Sequence, residues 1–338
     1  MPGFLILSFK VRILVIRFSS IGDIVLTTPV VRCLKKQLTD AEVHFVTKHK
    51  YASLATSNPY IDHIHLFKDN LNELIRELSA IKFDYIIDLQ NNFRSARIKQ
   101  TLGVKSFSVD KLNVRKWLLV WLKINRMPAL HMVDRNLATV AALGVKNDGA
   151  GLDFFIPSDE QFNISDLPDN FRKGYIAFVI AATWATKKLP IDKIVQICQN
   201  IEHPVIILGG KDEFAEGEEI LSSLKGNVLN FAGKLTLTQS ASIVKNANIV
   251  LANDTGLMHI AAAFKKKILV FWGNTVPAFG MVPYQPHPKS AGLEVENLKC
   301  RPCSKLGHTR CPKKHFRCMN EINTEMAIAW INQNFEEE

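Results

Sequence analysis

The segment Ile249-Val-Leu-Ala-Asn253-Asp254-Thr255-Gly256-Leu-Met-His259-Ile-Ala-Ala-Ala263 compresses an apolar strand, a polar turn and the start of an apolar helix into fifteen residues. The run Ile249 to Ala252 is short enough for a buried parallel strand, and Asn253 and Asp254 supply the turn and an N-cap for the alanine-rich helix. The first amides of such a helix face outward. An anion there gains backbone hydrogen bonds and the favourable end of the helix dipole, and Gly256 lets it approach with no side chain in the way. The same geometry also serves as a plain capped connection in α/β proteins, so on its own it leaves both readings open.

A second strand-turn-helix stands near the other end of the chain. Val11-Arg-Ile-Leu-Val-Ile-Arg17-Phe18 runs into Ser19-Ser20-Ile21-Gly22-Asp23 and then into Ile24-Val-Leu-Thr-Thr-Pro. Two such turns predict two nucleotide-fold halves facing one cleft. The first turn lacks both the G-x-G-x-x-G of dinucleotide binders and the G-x-x-x-x-G-K-[ST] of a P-loop, so neither an NAD enzyme nor a P-loop NTPase is supported. Asp23 falls instead at the carboxyl end of a strand, the edge where open α/β sheets bind ligands. Its alternative role is helix capping, for which Asp is a preferred residue.

Periodicity extends the pattern. Strands are expected near residues 11–17, 43–46, 64–67 and 84–89, alternating with helices near 24–37, 71–80 and 132–143. Pro157, Asp159, Pro168 and Gly174 then punctuate a polar linker. A second series follows, with strands near 175–180, 204–208, 228–231, 248–252 and 268–271 and helices near 191–201, 213–224, 238–245 and 256–264. A chain of 338 residues exceeds what one core fills. The sequence therefore predicts an α/β protein of two domains with parallel sheets, residues 1–158 and 172–338, the second carrying a cysteine-rich segment at 300–318.

No apolar run reaches the length of a membrane span. Phe4 to Phe9 is short and is followed by Lys10 and Arg12, which favours an N-terminal strand over a signal peptide and predicts a cytosolic chain. The formal charge of +10 is uneven, since residues 91–131 hold nine Lys or Arg against one acid, Asp110. Inside that block lies Trp117-Leu-Leu-Val-Trp121-Leu, an apolar and aromatic patch flanked by cations. The combination suits an anionic membrane surface or a phosphorylated lipid headgroup. A core helix that buries both indoles and solvates its basic face is the competing reading.

The strand at 175–180 empties into Ala181-Ala-Thr183-Trp-Ala-Thr186-Lys187-Lys188-Leu189-Pro190, a turn with two hydroxyls and two ammonium groups ahead of a Pro-initiated helix. These donors suit a diphosphate, and a lysine there can neutralise charge as a phosphate leaves. Near the C-terminus, Cys300, Cys303, Cys311 and Cys318 follow the spacing C-x2-C-x7-C-x6-C. They form a candidate structural zinc site, with reduced thiols and disulfides as alternatives. Seven Lys or Arg and no acid surround them between Lys299 and Cys318, which keeps a nucleic-acid contact open. No H-E-x-x-H, His/carboxylate cluster or G-x-S-x-G elbow points to a catalytic metal or a serine hydrolase.

Taken in order, Arg17-Phe-Ser-Ser-Ile-Gly-Asp23, Ala181-Ala-Thr-Trp-Ala-Thr-Lys187-Lys-Leu-Pro and Asn253-Asp-Thr-Gly-Leu-Met-His259 resemble the ADP-heptose:lipopolysaccharide heptosyltransferases, glycosyltransferase family 9. Phe231-Ala-Gly-Lys-Leu-Thr-Leu and Phe271-Trp-Gly-Asn-Thr resemble further family segments. The resemblance implies a GT-B fold, two Rossmann-like domains around a cleft, with acceptor in the first and nucleotide sugar in the second. It implies Asp23 as general base, Ser19, Ser20 and Gly22 shaping its turn, and Thr183, Thr186 and Lys187 facing the diphosphate. Thr255 and Gly256 would bind phosphate, while Asp254 and His259 would contact the sugar or support the turn. Arg94 is the candidate for touching a phosphorylated lipid acceptor at the inner leaflet. The resemblance implies no catalytic cofactor and no nucleic-acid partner. The sequence departs from the family at Asn91, where glycine is frequent, and at Leu189, where tryptophan is common. Another nucleotide sugar, or a non-enzymatic nucleotide- or nucleic-acid-binding role, is the alternative.

Overall fold

The computed structural model describes residues 10–336; the strand expected at Phe4 to Phe9 lies outside them. The chain divides into two compact units, one running to Lys111 and resuming at Met132–Phe155, the other made of Leu112–His131 and Ile156 onward.

The first unit is built on a five-stranded sheet of β1 (Val11–Ile16), β2 (Ala41–Lys48), β3 (His63–Phe67), β4 (Tyr85–Asp88) and β5 (Ser106–Ser108), in the order β3-β2-β1-β4-β5. Every pairing is parallel. Strands buried on both faces must be apolar throughout, which is why Ile13 to Ile16 are fully buried. The chain winds outward from β1 to β3, then returns to β1's other side with β4, so the sheet's direction of winding switches between β1 and β4.

The helix expected over residues 24–37 is broken into Ile21–Val25 and Thr28–Gln37. Pro29 cannot donate to the preceding turn, and the Thr27 and Thr28 hydroxyls take the carbonyls of Ile24 and Val25 at 2.7 and 2.8 Å. The second of these helices buries Arg32, whose guanidinium grips Asp148 at 2.7 Å and also pairs with Asp153. That grip fastens the segment 132–155 back onto the first unit.

The second unit carries a six-stranded sheet of β6 (Ile176–Val179), β7 (Val205–Leu208), β8 (Val228–Asn230), β9 (Ile249–Asn253), β10 (Lys267–Trp272) and β11 (Ala291–Glu294), ordered β11-β10-β9-β6-β7-β8. All its pairings are parallel too. Its winding switches between β6 and β9. Ile176, Phe178, Ile249, Leu251, Leu269 and Phe271 form the centre of its core.

Residues 112–131 fall inside the span that the sequence assigns to the first domain, yet they pack with the second unit. Lys123 Nζ donates to the carbonyls of Cys300 and Pro302 at 3.2 and 2.7 Å, and His131 Nε2 lies 2.8 Å from the Val282 carbonyl oxygen. The expectation of a core helix with buried indoles fails here. Trp117 and Trp121 are 52% and 71% exposed, Val114 is 73% exposed, and Leu119 is the buried residue of the turn Leu118–Leu122.

Candidate functional site

Open parallel sheets leave a crevice beyond the carboxyl ends of their strands at the point where winding reverses, and ligands bind there. In the first unit that point lies beyond β1 and β4, and Asp23 stands in the short helix Ile21–Val25 that follows β1. Its Oδ2 accepts from the Ser20 amide at 3.1 Å and the Ser20 hydroxyl at 2.9 Å. Its Oδ1 lies 2.6 Å from Nη2 of Arg17. One carboxylate therefore both caps the short helix and stands at the carboxyl edge of the sheet. Burial raises its pKa, but the Arg17 charge and the Ser20 hydrogen bonds outweigh that and hold it below the ordinary carboxylate value. A carboxylate offers about four lone-pair positions, and three donors occupy three of them. With its side chain 24% exposed, Asp23 keeps an acceptor position open to solvent.

Arg17 is the site residue that the sequence does not single out. It is buried, and it ties the two strand ends together by donating from Nε to the Ser19 carbonyl at 2.8 Å and from Nη1 to the Leu89 carbonyl at 2.5 Å. Beyond β4, Asp88 accepts the amides of Gln90 and Asn91 through Oδ1 and pairs with Lys99 at 2.8 Å through Oδ2. Asn91 has φ +42°, a left-handed conformation that glycine adopts without a steric cost and that asparagine tolerates. Arg94 lies exposed in the first turn of the helix Phe93–Leu102, its guanidinium 5.5 Å from the centre of the Phe67 ring.

In the second unit the winding switch lies beyond β6 and β9, and the two strand ends are joined by Asn253. This side chain is fully buried, donates to the Ile180 carbonyl and accepts from the Leu189 amide, both at 3.0 Å. The helix that follows, Gly256–Ala263, takes Thr255 as its N-cap, not Asn253 or Asp254. Thr255 makes no side-chain cap hydrogen bond, so its hydroxyl does not consume the first-turn amides. Asp254 turns away from the cap and holds Lys187 at 2.6 Å, with Thr275 Oγ1 donating to the same oxygen at 2.8 Å. This brings the lysine of one turn beside the helix start of the other.

The remaining residues of the 181–190 turn divide between exposed and structural positions. Thr183 is exposed. Thr186 is buried, bonding the Asn274 side chain and the His308 carbonyl at 3.1 Å and accepting the His308 amide at 2.8 Å, so its hydroxyl is spent on holding the turn. Gly273 is required at this clasp, since a Cβ there would lie 2.5 Å from the Thr186 carbonyl oxygen. Lys188 is engaged by Glu213 and Glu216 at 2.8 and 2.9 Å. His259 is buried in its helix. Asn274 and Thr275 belong to the Phe271–Thr275 segment, but only their contacts reveal what they hold.

The four cysteines of the candidate zinc set lie close enough to act on one another's charge. All six cysteines are free thiols. Among the described residues, the group that meets metal-ligand spacing is Glu42, His44 and His63, not Cys300, Cys303, Cys311 and Cys318. Cys318 is buried in the core of the second unit, and Cys303 Sγ donates to the Cys300 carbonyl at 3.1 Å. Burial and the neighbouring thiols push Cys303 up to about 11 and Cys318 up to about 12. The surrounding charge is also partly spent. Arg301 donates to the carbonyls of Gly273, Val295 and Thr275 and pairs with Glu294 at 2.5 Å, and Arg317 pairs with Glu321 at 2.5 Å.

Comparison with known proteins agrees with this architecture. Residues 71–309 match the model of glycosyltransferase family 9 (heptosyltransferase). Lipopolysaccharide heptosyltransferase 1 of Campylobacter coli is 21% identical, over 97% of this chain and 100% of the relative. Among solved structures, a family 9 glycosyl transferase from Veillonella parvula superposes with a TM-score of 0.76 at 20% identity, covering 96% of this chain and 97% of that one. The E. coli ADP-heptose lipopolysaccharide heptosyltransferase II does so with a TM-score of 0.74 at 19% identity, covering 96% and 98%. The two parallel sheets are thus those of the GT-B heptosyltransferases, and the chain belongs to glycosyltransferase family 9.

Proposed function

We propose that this glycosyltransferase moves a heptose from ADP-heptose to a lipopolysaccharide inner-core acceptor with inversion at the anomeric carbon. The observation that carries the reading is Asp23, a carboxylate kept ionised at the carboxyl edge of β1 with an acceptor position open. In the reaction it takes the proton of an acceptor hydroxyl. The oxygen attacks the anomeric carbon from the face opposite the diphosphate, the carbon–oxygen bond to the diphosphate breaks, and ADP leaves with the electron pair. Ser19, Ser20 and Gly22 shape the turn around the base. This chemistry asks for no catalytic cofactor.

On the donor side, Lys187 and the first amides of the helix Gly256–Ala263 would meet the diphosphate, joined by the exposed Thr183. Cation and helix dipole stabilise the charge that grows on the leaving group. Asp254 and Thr275 position Lys187. Thr255 and Gly256 contribute backbone donors, Thr186 holds the turn from beneath, and His259 supports the helix start.

The acceptor in this reading is anchored in a bilayer, and the segment 112–131 supplies a means of reaching it. Val114, Trp117, Trp121, Leu122 and Ile124 are exposed side by side in sequence with Arg115, Lys116 and Arg126. Indoles favour the lipid interface, and each basic residue near an anionic surface adds about 1 kcal/mol. No helix among the described residues is long and apolar enough to cross a membrane. In this reading attachment is peripheral, through these indoles and cations, on the cytoplasmic face where a nucleotide sugar is available, and Arg94 is the candidate contact for an acceptor phosphate.

Incubation with ADP-heptose, without acceptor and then with it, separates transfer from hydrolysis. ADP release that depends on the acceptor supports the reading. Release at the same rate without acceptor, or with another nucleotide sugar only, contradicts it.

A further inference from the structure

At the amino edge of the first sheet, opposite the edge that holds Asp23, strand alternation places Glu42 and His44 on one face of β2, with His63 in register beside His44 on β3. The two imidazoles stack with centroids 4.5 Å apart. Oε1 of Glu42 lies 3.3 Å from Nε2 of His44 and 2.9 Å from Nε2 of His63. The other carboxylate oxygen, Oε2, is held by Arg12 at 3.5 Å and Lys10 at 3.7 Å.

The hydrogen-bond directions single out His44. Glu77 Oε1 can only accept, so His65 Nδ1, 2.5 Å away, donates to it. The other nitrogen of a neutral His65 then accepts, and His44 Nδ1 donates to it across 3.0 Å. Nε2 of a neutral His44 is left as a lone pair. It is buried, it makes no hydrogen bond among the described residues, and it faces a carboxylate oxygen. Two electron-rich atoms facing each other in a buried position call for a cation between them.

We propose that Glu42 Oε1, His44 Nε2 and His63 Nε2 bind a divalent transition-metal ion of the zinc, cobalt or nickel class. Imidazole and carboxylate together suit such ions, and a carboxylate that fixes the far nitrogen of a ligating histidine chain is the usual supporting arrangement. In a tetrahedral zinc site with ligands about 2.0–2.2 Å from the ion, donor atoms stand roughly 3.3–3.6 Å apart. The His44 separation already has that value. His63 is half exposed and has room to swing outward as the ion replaces its hydrogen bond to Glu42. The ion would clamp the start of β2 to the start of β3. It takes no part in sugar transfer.

The test is titration of the full-length protein with cobalt(II), read by visible absorption and by equilibrium dialysis. The expected result is one cobalt per chain with the spectrum of nitrogen and oxygen ligands and no thiolate charge-transfer band. His63→Ala should weaken binding at least about tenfold, as should Glu77→Ala, which frees the histidine chain to change tautomer. Cys300→Ser combined with Cys303→Ser should leave it unchanged. Cobalt that stays bound in His63→Ala, that is lost with the cysteine pair, or that does not bind wild type overturns the proposal. Far-ultraviolet circular dichroism of each variant separates loss of a ligand from loss of fold.

Discussion

Arg17 and Asp23 face each other at 2.6 Å across the turn that leaves β1, and the same guanidinium reaches the Leu89 carbonyl beyond β4. One side chain thus holds the carboxylate proposed as the base and fastens the two strand ends between which the sheet reverses. A carboxylate held below its ordinary value is ionised over the working range but is a weak base, so it accepts a proton only once the attacking oxygen has become acidic late in bond formation.

Replacing Asp23 with Asn keeps the size of the side chain and removes the proposed base. Transfer should fall by about 10²–10⁴ while ADP affinity stays as in wild type, because the base acts only in the transition state. Single-turnover kinetics beside calorimetric ADP binding check this, and a parallel loss of both would count against the role.

Arg17→Met removes the main opposing influence on Asp23 and leaves burial, which raises its pKa. The acid limb of the kcat/KM profile should therefore move to higher pH, and Arg17→Lys should restore part of the shift. The sign for stability follows. In wild type the pair's contribution is complete above the ordinary carboxylate value and is lost as pH falls below it. An acid limb that does not move would show that Asp23 does not govern it.

Lys187→Ala should weaken ADP binding by about tenfold to a hundredfold, the value of a charge-assisted contact, and should lower kcat as well. Lys188→Ala should spare ADP, since that ammonium group is held by two carboxylates, Glu213 and Glu216, where Lys187 pairs with one, Asp254. Equal effects of the two substitutions would remove the distinction drawn between them.

Exchange of Trp117 and Trp121 for Ser should reduce sedimentation with anionic vesicles by about tenfold or more and leave transfer to a water-soluble acceptor intact. Unchanged vesicle binding would mean that the exposed indoles serve another purpose.

The positions of Asp23 and Asp254 were legible in the sequence because each follows an uninterrupted apolar run, and such a run in an α/β chain is a buried parallel strand whose carboxyl end faces ligand. Their partners were not. Arg17 and Thr275 carry no local signal, and their roles come from contacts with other turns, Leu89 in one unit and Asp254 in the other. The edge strands Ser106–Ser108 and Ala291–Glu294 escaped because they are short and largely exposed, so no apolar period marks them. The basic and aromatic character of the segment 112–131 is legible in its sequence, while its packing with the second unit is not. Its anchor is Lys123 on carbonyls 177 and 179 residues away, a tertiary contact that periodicity cannot express. The four cysteines have a spacing that suggests a metal, and Cys318 also packs in the core of the second unit, a contact that spacing does not express.

The central claim is tested most directly by mass spectrometry of a deacylated Kdo-containing lipid A acceptor after incubation with ADP-heptose and either wild type or Asp23→Asn. The account predicts a single heptose added by wild type and none by the variant, with ADP bound by both. An adduct formed equally by the variant, or none formed by wild type while ADP binds, would contradict it.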